Sequence, residues 1–382
     1  MPTARILAPL LAAALLAGCA VTAVHPPEAV REEAHLGGTV TAFAPDGRRF
    51  ASGGWEGAIR IWRAPGGAPR TRARGARRCG ERRTATEFQS AGHGRAGGAC
   101  PPSPEPGGEV AYVNGWRAHE DSVNGLLWLD GRTLVSAGYD GRIALWRVTA
   151  GAAQGRADYP LVGGLAPRVP LRERRTVPVT AAAGDAAAGL LLTGHRDGSV
   201  RLWRLPALEP VAEWRPHRGA VKAVALERGG ARLASAGTDG RVHVWRRRAS
   251  APRALEPPPT DAWTLAFSPD GRALYGGGWF RLFRWDLATG ALTVLPTEHR
   301  GIVKSIVFLP DGRLATISRQ TDSAVLLLDP ATGATRLRLQ PHDLCGGWIA
   351  ASPDGRFLAT TSDDASVRFW DLGRLRPPVT SW

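Results

Sequence analysis

The sequence predicts an all-β protein, a seven-bladed β-propeller made of four-stranded antiparallel blades. One short phrase of small residues, an acidic turn and an apolar strand recurs seven times along the 382 residues. Each copy contains short alternating strands and tight turns, and a period of about 40 residues with that content is typical of a propeller blade. The copies end, in steps of 84, 57, 42, 40, 43 and 42 residues, at Trp62, Trp146, Trp203, Trp245, Trp285, Leu328 and Trp370.

The fourth unit shows how one repeat builds a sheet. Apolar residues mark a first strand at 221–226, a Gly-rich turn ends it, and two more strands follow at 233–235 and 242–245. Proline presets the first dihedral of a tight turn and glycine accepts a positive one. Turns of this kind are predicted wherever Pro-Asp-Gly recurs, at 45–47, 269–271, 310–312 and 353–355.

Four polar or aromatic side chains recur within the units. In the second unit they are His119, Ser136, Asp140 and Trp146. A buried aspartate must be paired, so a hydrogen-bonded His-Asp-Ser-Trp network inside each blade is the expected reason for their recurrence. This arrangement resembles the WD-repeat (WD40) family, whose blades hold such a tetrad. The resemblance covers about residues 28–372.

The tetrad is complete in three units and partial in three others. Carried over from the resemblance, the other complete sets are His217, Ser235, Asp239 and Trp245, and His342, Thr360, Asp364 and Trp370. The partial sets are His35, Ser52, Glu56 and Trp62, then Thr193, Asp197 and Trp203 without a leading histidine, and His299, Ser318 and Asp322 ending at Leu328. The fifth unit keeps Trp285-Asp286 but has no tetrad histidine or aspartate.

The resemblance also implies how the ring closes. Residues 28–34 look like the outer strand that precedes each histidine elsewhere, and as part of the seventh blade they would leave no open edge. The tail at 375–382 is the competing candidate for that strand.

The N-terminal residues resemble a signal for export from the cytoplasm. An apolar run at 6–17 is too short to span a bilayer but suits a secretory signal over residues 1–18. Small residues directly before Cys19 resemble the lipobox of bacterial lipoproteins, which implies cleavage there and lipidation of Cys19. Because Ala20 follows, we expect the periplasmic side of the outer membrane, with residues 19–27 as a short tether and residues 28–382 as the propeller. The alternatives are a plain signal peptide with a chance cysteine, an uncleaved anchor, or a cytoplasmic protein whose true start lies after residue 19.

Composition adds little about partners. The net charge of +15 comes from 49 basic residues of which only Lys222 and Lys304 are lysine, which looks like coding bias, so no nucleic-acid partner is expected. A basic insertion at 64–108 lacks apolar periodicity and is expected to be disordered. In an oxidising compartment its Cys79 and Cys100 are candidates for a disulfide. A smaller insertion at 151–174 carries no chemical motif.

We find no motif that predicts catalysis. Metal-ligand spacing, haem attachment, a Gly-x-Ser-x-Gly elbow and phosphate-binding loops are absent from the sequence, so no metal, cofactor or enzyme activity is expected. The tetrad histidines are expected to be structural, and His195 and His243 are interpreted as surface or packing residues of third strands. A remaining thiol, Cys345, is expected to be buried.

The open end of the ring is the predicted functional surface. WD propellers expose for partners the residue before the tetrad acid and residues near the start of each first strand. The corresponding candidates are Trp55, Tyr139, Arg196, Asn124, Lys222, Trp263, Lys304 and Asp363. Aromatic and arginine side chains dominate binding hot spots, which favours Trp55, Tyr139, Arg196 and Trp263.

The sequence therefore predicts a monomeric, lipid-anchored propeller that serves as a non-catalytic scaffold for an unidentified protein partner. Two alternatives stay open. One is a propeller enzyme or ligand-binding protein with a site in the central channel. The other is a cytoplasmic scaffold.

Overall fold

The computed structural model describes residues 24–64, 111–148, 177–248 and 251–375. These residues form β-strands, turns and loops without a helix, and their sheets are the seven antiparallel blades of a propeller. The predicted fold class is confirmed. The lipobox, Cys79, Cys100, most of the 64–108 insertion and all of 151–174 lie outside the described residues.

The strands follow the chain from blade to blade. Before blade 1 come β1 (Val24–His25) and β2 (Ala29–Arg31). Blade 1 contains β3 (Gly38–Phe43), β4 (Arg49–Gly54), β5 (Ala58–Arg63) and β6 (Ala111–Arg117). Of blade 2, the described residues include β7 (Val123–Trp128), β8 (Thr133–Gly138) and β9 (Ile143–Arg147). Blade 3 contains β10 (Val179–Asp185), β11 (Leu190–His195), β12 (Val200–Arg204) and β13 (Glu209–Trp214).

The second half of the ring repeats this order. Blade 4 contains β14 (Val221–Leu226), β15 (Arg232–Gly237), β16 (Val242–Arg246) and β17 (Arg253–Ala254). Blade 5 contains β18 (Thr264–Phe267), β19 (Ala273–Gly277), β20 (Arg281–Asp286) and β21 (Leu292–Pro296). Blade 6 contains β22 (Ile302–Phe308), β23 (Leu314–Arg319), β24 (Val325–Leu328) and β25 (Thr335–Leu339). Blade 7 contains β26 (Gly346–Ala351), β27 (Phe357–Ser362) and β28 (Val367–Asp371).

The N-terminal strand closes the ring. β2 pairs antiparallel with β28, with Ala29 opposite Phe369, and so supplies the fourth strand of blade 7. The backbone N–H of Glu28 donates to the carbonyl of Phe369 over 2.8 Å. β2 therefore joins the start of the propeller to its last blade, in the place predicted for residues 28–34.

One strand was not predicted. β1 pairs in parallel with β25 of blade 6, with Val24 opposite Arg338 and His25 opposite Leu339. The segment predicted as a tether at 19–27 thus includes a strand attached to the propeller. Two paired residues are too short for any alternation of polar and apolar side chains to appear in the sequence.

The core is divided among the contacts between blades. Each of seven apolar clusters is made mainly of side chains from two adjacent blades. Between blades 7 and 1, for example, the rings of Phe50 and Phe369 stack with centroids 5.9 Å apart. Burying an aromatic or aliphatic side chain of this size stabilises the fold by about 1.5–3 kcal/mol.

The two ends of the ring are built differently. The first strands of the blades contact one another in a closed cycle around the axis. Because strands alternate in direction, the loops before each first strand and the loops between second and third strands lie at the same end, here called the mouth face. The Pro-Asp-Gly turns lie at the other end, and their glycines have φ values of 65–87°, as the turn chemistry predicts.

Candidate functional site

Blade 2 holds the predicted network with all four members hydrogen-bonded. Nε1 of Trp146 donates to Oγ of Ser136 over 2.7 Å, and that hydroxyl lies 2.7 Å from Nε2 of His119. Nδ1 of His119 lies 3.0 Å from Oδ1 of Asp140. These contacts link the indole, the hydroxyl, the imidazole and the carboxylate in one continuous chain.

The other predicted sets are linked less uniformly. In blade 1, Glu56 takes the place of the aspartate and accepts from His35 over 2.7 Å. His217 bonds Ser235 and Asp239 in blade 4, and His342 bonds Thr360 and Asp364 in blade 7. Nε1 of Trp245 and of Trp370, however, is buried without a hydrogen-bond partner among the described residues. Those two tryptophans act by packing.

In blade 3 the histidine comes from a different strand. His195 lies in the second strand, β11, so its assignment to a third strand is wrong, and its almost complete burial leaves the packing alternative and not the surface one. Its Nε2 lies 2.9 Å from Oγ1 of Thr193, which also accepts from Nε1 of Trp203 over 2.9 Å. His195 therefore replaces the missing leading histidine. His243 does lie in a third strand, β16, where it is buried with its ring 5.0 Å from that of His217.

In blade 6 the hydroxyl is Thr316, and the assignment to Ser318 is wrong. Nε2 of His299 lies 2.7 Å from Oγ1 of Thr316, whereas Ser318 donates to Asp322. The spacing from the histidine is the usable signal, because Thr316 follows His299 by 17 residues, as Ser136 follows His119. The assignment failed because the loop after β23 is longer and shifts the acid.

Electrostatics support a closed internal network. Burial alone would raise the pKa of Asp322, but the imidazole of His299, whose Nδ1 lies 3.7 Å from the carboxylate, and the hydrogen bond from Ser318 outweigh burial and lower it to about 2. Burial lowers the pKa of His35, His217 and His342, which keeps these rings neutral. The same cause lowers the pKa of His195 and of His243 to about 4. The polar atoms of the tetrads are thus used to hold blades together.

Two rings of side chains surround the mouth. The inner ring is formed by the second residue of each first strand, or the third in β22, where a β-bulge interrupts pairing with the second strand and re-aims the side chain. In blade 5 the corresponding residue directly precedes β18. The inner ring consists of Thr39, Asn124, Thr180, Lys222, Trp263, Lys304 and Gly347.

The outer ring comes from the loops between second and third strands. Each member stands three residues after the tetrad hydroxyl or its equivalent. The outer ring consists of Trp55, Tyr139, Arg196, Thr238, Trp279, Arg319 and Asp363. Sequence reasoning misses Arg319 and Trp279, because it counts back from the tetrad acid, which is absent from blade 5 and is shifted along the loop in blade 6.

In blades 1–3 the inner-ring side chains donate their hydrogen bonds to backbone carbonyls. Thr39 donates to the carbonyls of Val123 and Gly53, and Nδ2 of Asn124 donates to the carbonyl of Val179 over 2.8 Å. Thr180 donates to the carbonyl of Gly194 over 3.0 Å. In blades 1–3 the inner-ring side chains are therefore engaged with the backbone.

The other side of the inner ring is cationic and aromatic. Nζ of Lys222 lies 3.9 Å from the ring centroid of Trp263 and forms an ion pair with Asp261. Nζ of Lys304 lies 5.4 Å from the same centroid. No described residue forms a hydrogen bond or an ion pair with Lys304, and Nε1 of Trp263 likewise has no acceptor there. The ammonium of Lys304 and the indole N–H of Trp263 are thus two neighbouring donors without acceptors among the described residues.

The outer ring continues this cluster. Arg319 forms a 2.8 Å ion pair with Asp363, and its guanidinium carbon lies 6.0 Å from the ring centroid of Trp55. Burial raises the pKa of Asp363 in spite of Arg319. Burial also lowers the pKa of Lys304 to about 8, helped by the charges of Arg319 and Lys222. We call the set Lys222, Asp261, Trp263, Lys304, Arg319, Asp363 and Trp55 the mouth sector.

Exposed apolar side chains border the mouth sector. Eight large hydrophobic residues are exposed among those described, and four of them belong to mouth-face loops. Leu36 lies beside Trp55, since its N–H donates to the carboxylate of Glu56 over 3.2 Å. Phe280 is fixed to the entry of blade 6 by a 3.0 Å hydrogen bond to Gly301. These four are Leu36, Trp55, Phe280 and Leu344.

The structure thus separates the eight predicted surface residues. Trp55, Lys222, Trp263, Lys304 and Asp363 meet in the mouth sector. Tyr139, Asn124 and Arg196 lie on blades 2 and 3, outside it. The sequence could not reveal this asymmetry, because it depends on which side chains face the same point.

Three further observations concern metal binding, membrane spans and the remaining thiol. Within the described ranges no three His, Cys, Asp or Glu side chains are grouped to hold a metal ion. In the same ranges no helical segment has the length and apolar character of a membrane span. Cys345 is a free thiol that is half-buried and so less buried than the sequence predicts, and its carbonyl accepts from the backbone N–H of Asp363 over 2.9 Å.

Comparison with known proteins agrees with this architecture. Four stretches match the family model "WD domain, G-beta repeat", at residues 29–63, 111–147, 208–246 and 342–371. Each supplies three strands to blade 1, 2, 4 or 7, the blades whose histidine, hydroxyl and acid stand where the sequence predicts them. The protein is thus a seven-bladed β-propeller, and it contains WD40 repeats.

Curated relatives share the repeat at low identity. The chain is 26% identical to human Striatin-4 over 282 residues, which are 67% of this chain and 36% of that protein. It is 28% identical to Periodic tryptophan protein 2 of Arabidopsis thaliana over 48% of this chain and 21% of that protein. It is 26% identical to the guanine nucleotide-binding protein subunit beta of Saccharomyces cerevisiae over 48% of this chain and 54% of that protein. The chain therefore spans only about a fifth to a half of these relatives.

Proposed function

We propose that this chain is a non-catalytic scaffold whose mouth sector binds a protein partner. The observation that carries the proposal is the position of three exposed apolar side chains around the mouth sector, which itself exposes Trp55; the three are Leu36, Phe280 and Leu344. Exposed apolar groups on a soluble surface mark binding sites when they are clustered, and tryptophan and arginine dominate interface energetics.

Backbone strain supports the same surface. Phe280 has a φ of 60°, a value that a bulky residue rarely adopts, yet half of its surface is exposed. A strained conformation costs of order 1–3 kcal/mol, and such residues cluster at functional sites. The turn before each third strand needs this φ, which glycine supplies at Gly57 and Gly141, so the bulky exposed ring is the feature that the turn does not require and that contact with a partner explains.

Relatives support an interaction role in general terms. The yeast relative is by name a subunit, hence part of a larger protein assembly. Striatin-4 is aligned over most of the propeller. We infer that the shared part is the interaction platform and that the partner of this chain is its own.

Photo-crosslinking in intact cells tests the proposal. A benzophenone amino acid replaces Trp55 or Phe280 in the full chain, and adducts are identified by mass spectrometry. Val211 and Val294 provide matched controls, because they are 43% and 38% exposed but lie on the outer strands β13 and β21. We expect both mouth positions to give the same partner adduct. Adducts from the control positions alone, or from none of the four, would contradict the proposal.

We further propose that the propeller is lipid-anchored through Cys19 on the periplasmic side of the outer membrane. Support comes from the Leu-Ala-Gly-Cys motif at 16–19. Residues 20–23 would separate the lipid from β1, a reach of about 13 Å at ~3.3 Å per residue. Because β1 is parallel to β25, which runs towards the mouth face, the anchor would approach from the opposite end and leave the mouth sector accessible.

A further inference from the structure

The charges of the mouth sector are not balanced. Lys222 is paired with Asp261, and Arg319 is paired with Asp363. Lys304, between them, has neither a hydrogen bond nor an ion pair with a described residue. Three cations thus face two carboxylates, and the excess charge sits on Lys304.

We infer that the mouth sector recognises an acidic side chain of its protein partner, an aspartate or glutamate with apolar neighbours, and that the carboxylate binds at Lys304. The inference rests on the proposed function and adds the chemistry of the partner. A partly desolvated, unpaired ammonium binds a carboxylate more strongly than an ammonium in water does. The cost of removing water from the ammonium is already included in the free energy of the unbound protein.

The place of Lys304 in the ring favours a ligand at this point. The preceding inner-ring residues of blades 1–3 are closed by hydrogen bonds to the backbone. In blade 7 the inner-ring residue is Gly347, which has no side chain, and an added Cβ there would lie 2.2 Å from the carbonyl of Gly38. Lys304 therefore has the indole of Trp263 on one side and no inner-ring side chain on the other.

The apolar border favours a polypeptide over a small anion. Phe280 is attached to the loop that enters blade 6, three residues before Lys304. Leu344 lies close to Asp363, because the residue that follows Leu344 in the chain, Cys345, accepts a hydrogen bond from the backbone N–H of Asp363. A free phosphate makes no favourable contact with exposed apolar side chains. A peptide can bury them while its acidic residue binds the lysine.

Peptide selection on the full chain tests the inference. Random nonapeptides displayed on phage are selected against the purified wild type and against Lys304→Met, which keeps the length and apolar stem of the side chain. We expect wild-type selections to fix Asp or Glu at one position beside apolar residues. The best peptide and its Glu→Gln or Asp→Asn form are then titrated against both proteins. Loss of the acid should weaken binding to the wild type roughly ten- to hundredfold and leave binding to Lys304→Met unchanged.

Controls separate this inference from the docking proposal. Lys304→Arg should keep the preference for the acid, and so should Arg142→Met, which removes an exposed mouth-face cation in blade 2. Selected peptides without a fixed acidic position would overturn the inference and leave the docking surface standing. Equal losses in wild type and Lys304→Met would also overturn it. Binding of inorganic phosphate or of anionic phospholipid vesicles through Lys304, with no peptide enriched, would overturn both proposals in favour of a small anion or a membrane.

Discussion

Nζ of Lys304 lies 5.4 Å from the indole centroid of Trp263, and within the described chain it has no ion-pair partner. A partly buried, unpaired ammonium lowers the stability of the folded state. Trp263 offsets part of this cost through its π face, but it shares that face with Lys222. This pair is therefore a feature that stability alone does not explain.

Replacing Lys304 should stabilise the protein. Lys304→Met removes the desolvated charge and keeps the packing, so we expect the free energy of unfolding to rise by ~1–3 kcal/mol. Lys222→Met is the matched comparison, because it leaves Asp261 without its ion-pair partner. Differential scanning calorimetry should show a higher melting temperature for the first variant and an unchanged or lower one for the second. A loss of stability in Lys304→Met would mean that the lysine is a structural element.

The tetrads should differ in their contribution from blade to blade. Ser136→Ala leaves both His119 and Trp146 without their hydroxyl partner, and we expect a loss of roughly 2–4 kcal/mol. Ser235→Ala leaves only His217, since Trp245 has no hydrogen bond there, and should cost about 1–2 kcal/mol. Urea unfolding followed by tryptophan fluorescence measures both. Equal losses would argue against the closed network in blade 2.

Stability should fall as the pH drops below 6.5. Burial lowers the folded pKa of five histidines below their ordinary value of 6.5, to about 4 for His195 and His243; the other three are His35, His217 and His342. The folded state then binds fewer protons than the unfolded chain, so the stability is fully present above pH 6.5 and is lost as the pH falls towards 4.

Melting temperatures between pH 8 and pH 5 test this, with His243→Leu as the comparison. Nδ1 of His243 has no partner among the described residues, so the variant removes a titrating group without breaking a bond at that nitrogen. Its melting temperature should depend less steeply on pH than that of the wild type. An identical slope, or a wild type that gains stability towards pH 5, would refute the assignment.

Lipidation can be tested independently of binding. Cells expressing the full chain should incorporate labelled palmitate into the protein, and Cys19→Ser should abolish the label. The same substitution should move the protein from the membrane fraction to the soluble fraction. Absence of label on the wild type would exclude the lipoprotein hypothesis, while the propeller and its mouth sector would be unaffected.

The sequence was sufficient for the fold because the blade is a local pattern. Strand alternation, Pro-Asp-Gly turns and the spacing of Ser136 and Trp146 all occur within one unit. His195 could not be predicted, since it reaches the network from a strand where no repeat places a histidine. The strand β1 depends on pairing with β25, more than 300 residues away in the chain.

The mouth sector was predicted only in part. Trp55, Lys222, Trp263, Lys304 and Asp363 follow from repeat positions, but their convergence depends on the three-dimensional ring. Arg319 follows from the same rule once Thr316 is recognised as the tetrad hydroxyl. The pairing state of Lys304, which carries the inference about an acidic partner, is a property of side-chain contacts and leaves no mark in the sequence.

Binding depends on the mouth sector, and stability depends on the tetrads. The most direct test is the yield of the partner adduct from a photo-crosslinker at position 55, measured in Lys304→Met and Ser136→Ala at a temperature where both are folded. We predict a loss of about fivefold or more in Lys304→Met, in line with hot-spot energetics, and a wild-type yield in Ser136→Ala. A normal yield in Lys304→Met together with a reduced yield in Ser136→Ala would contradict the claim.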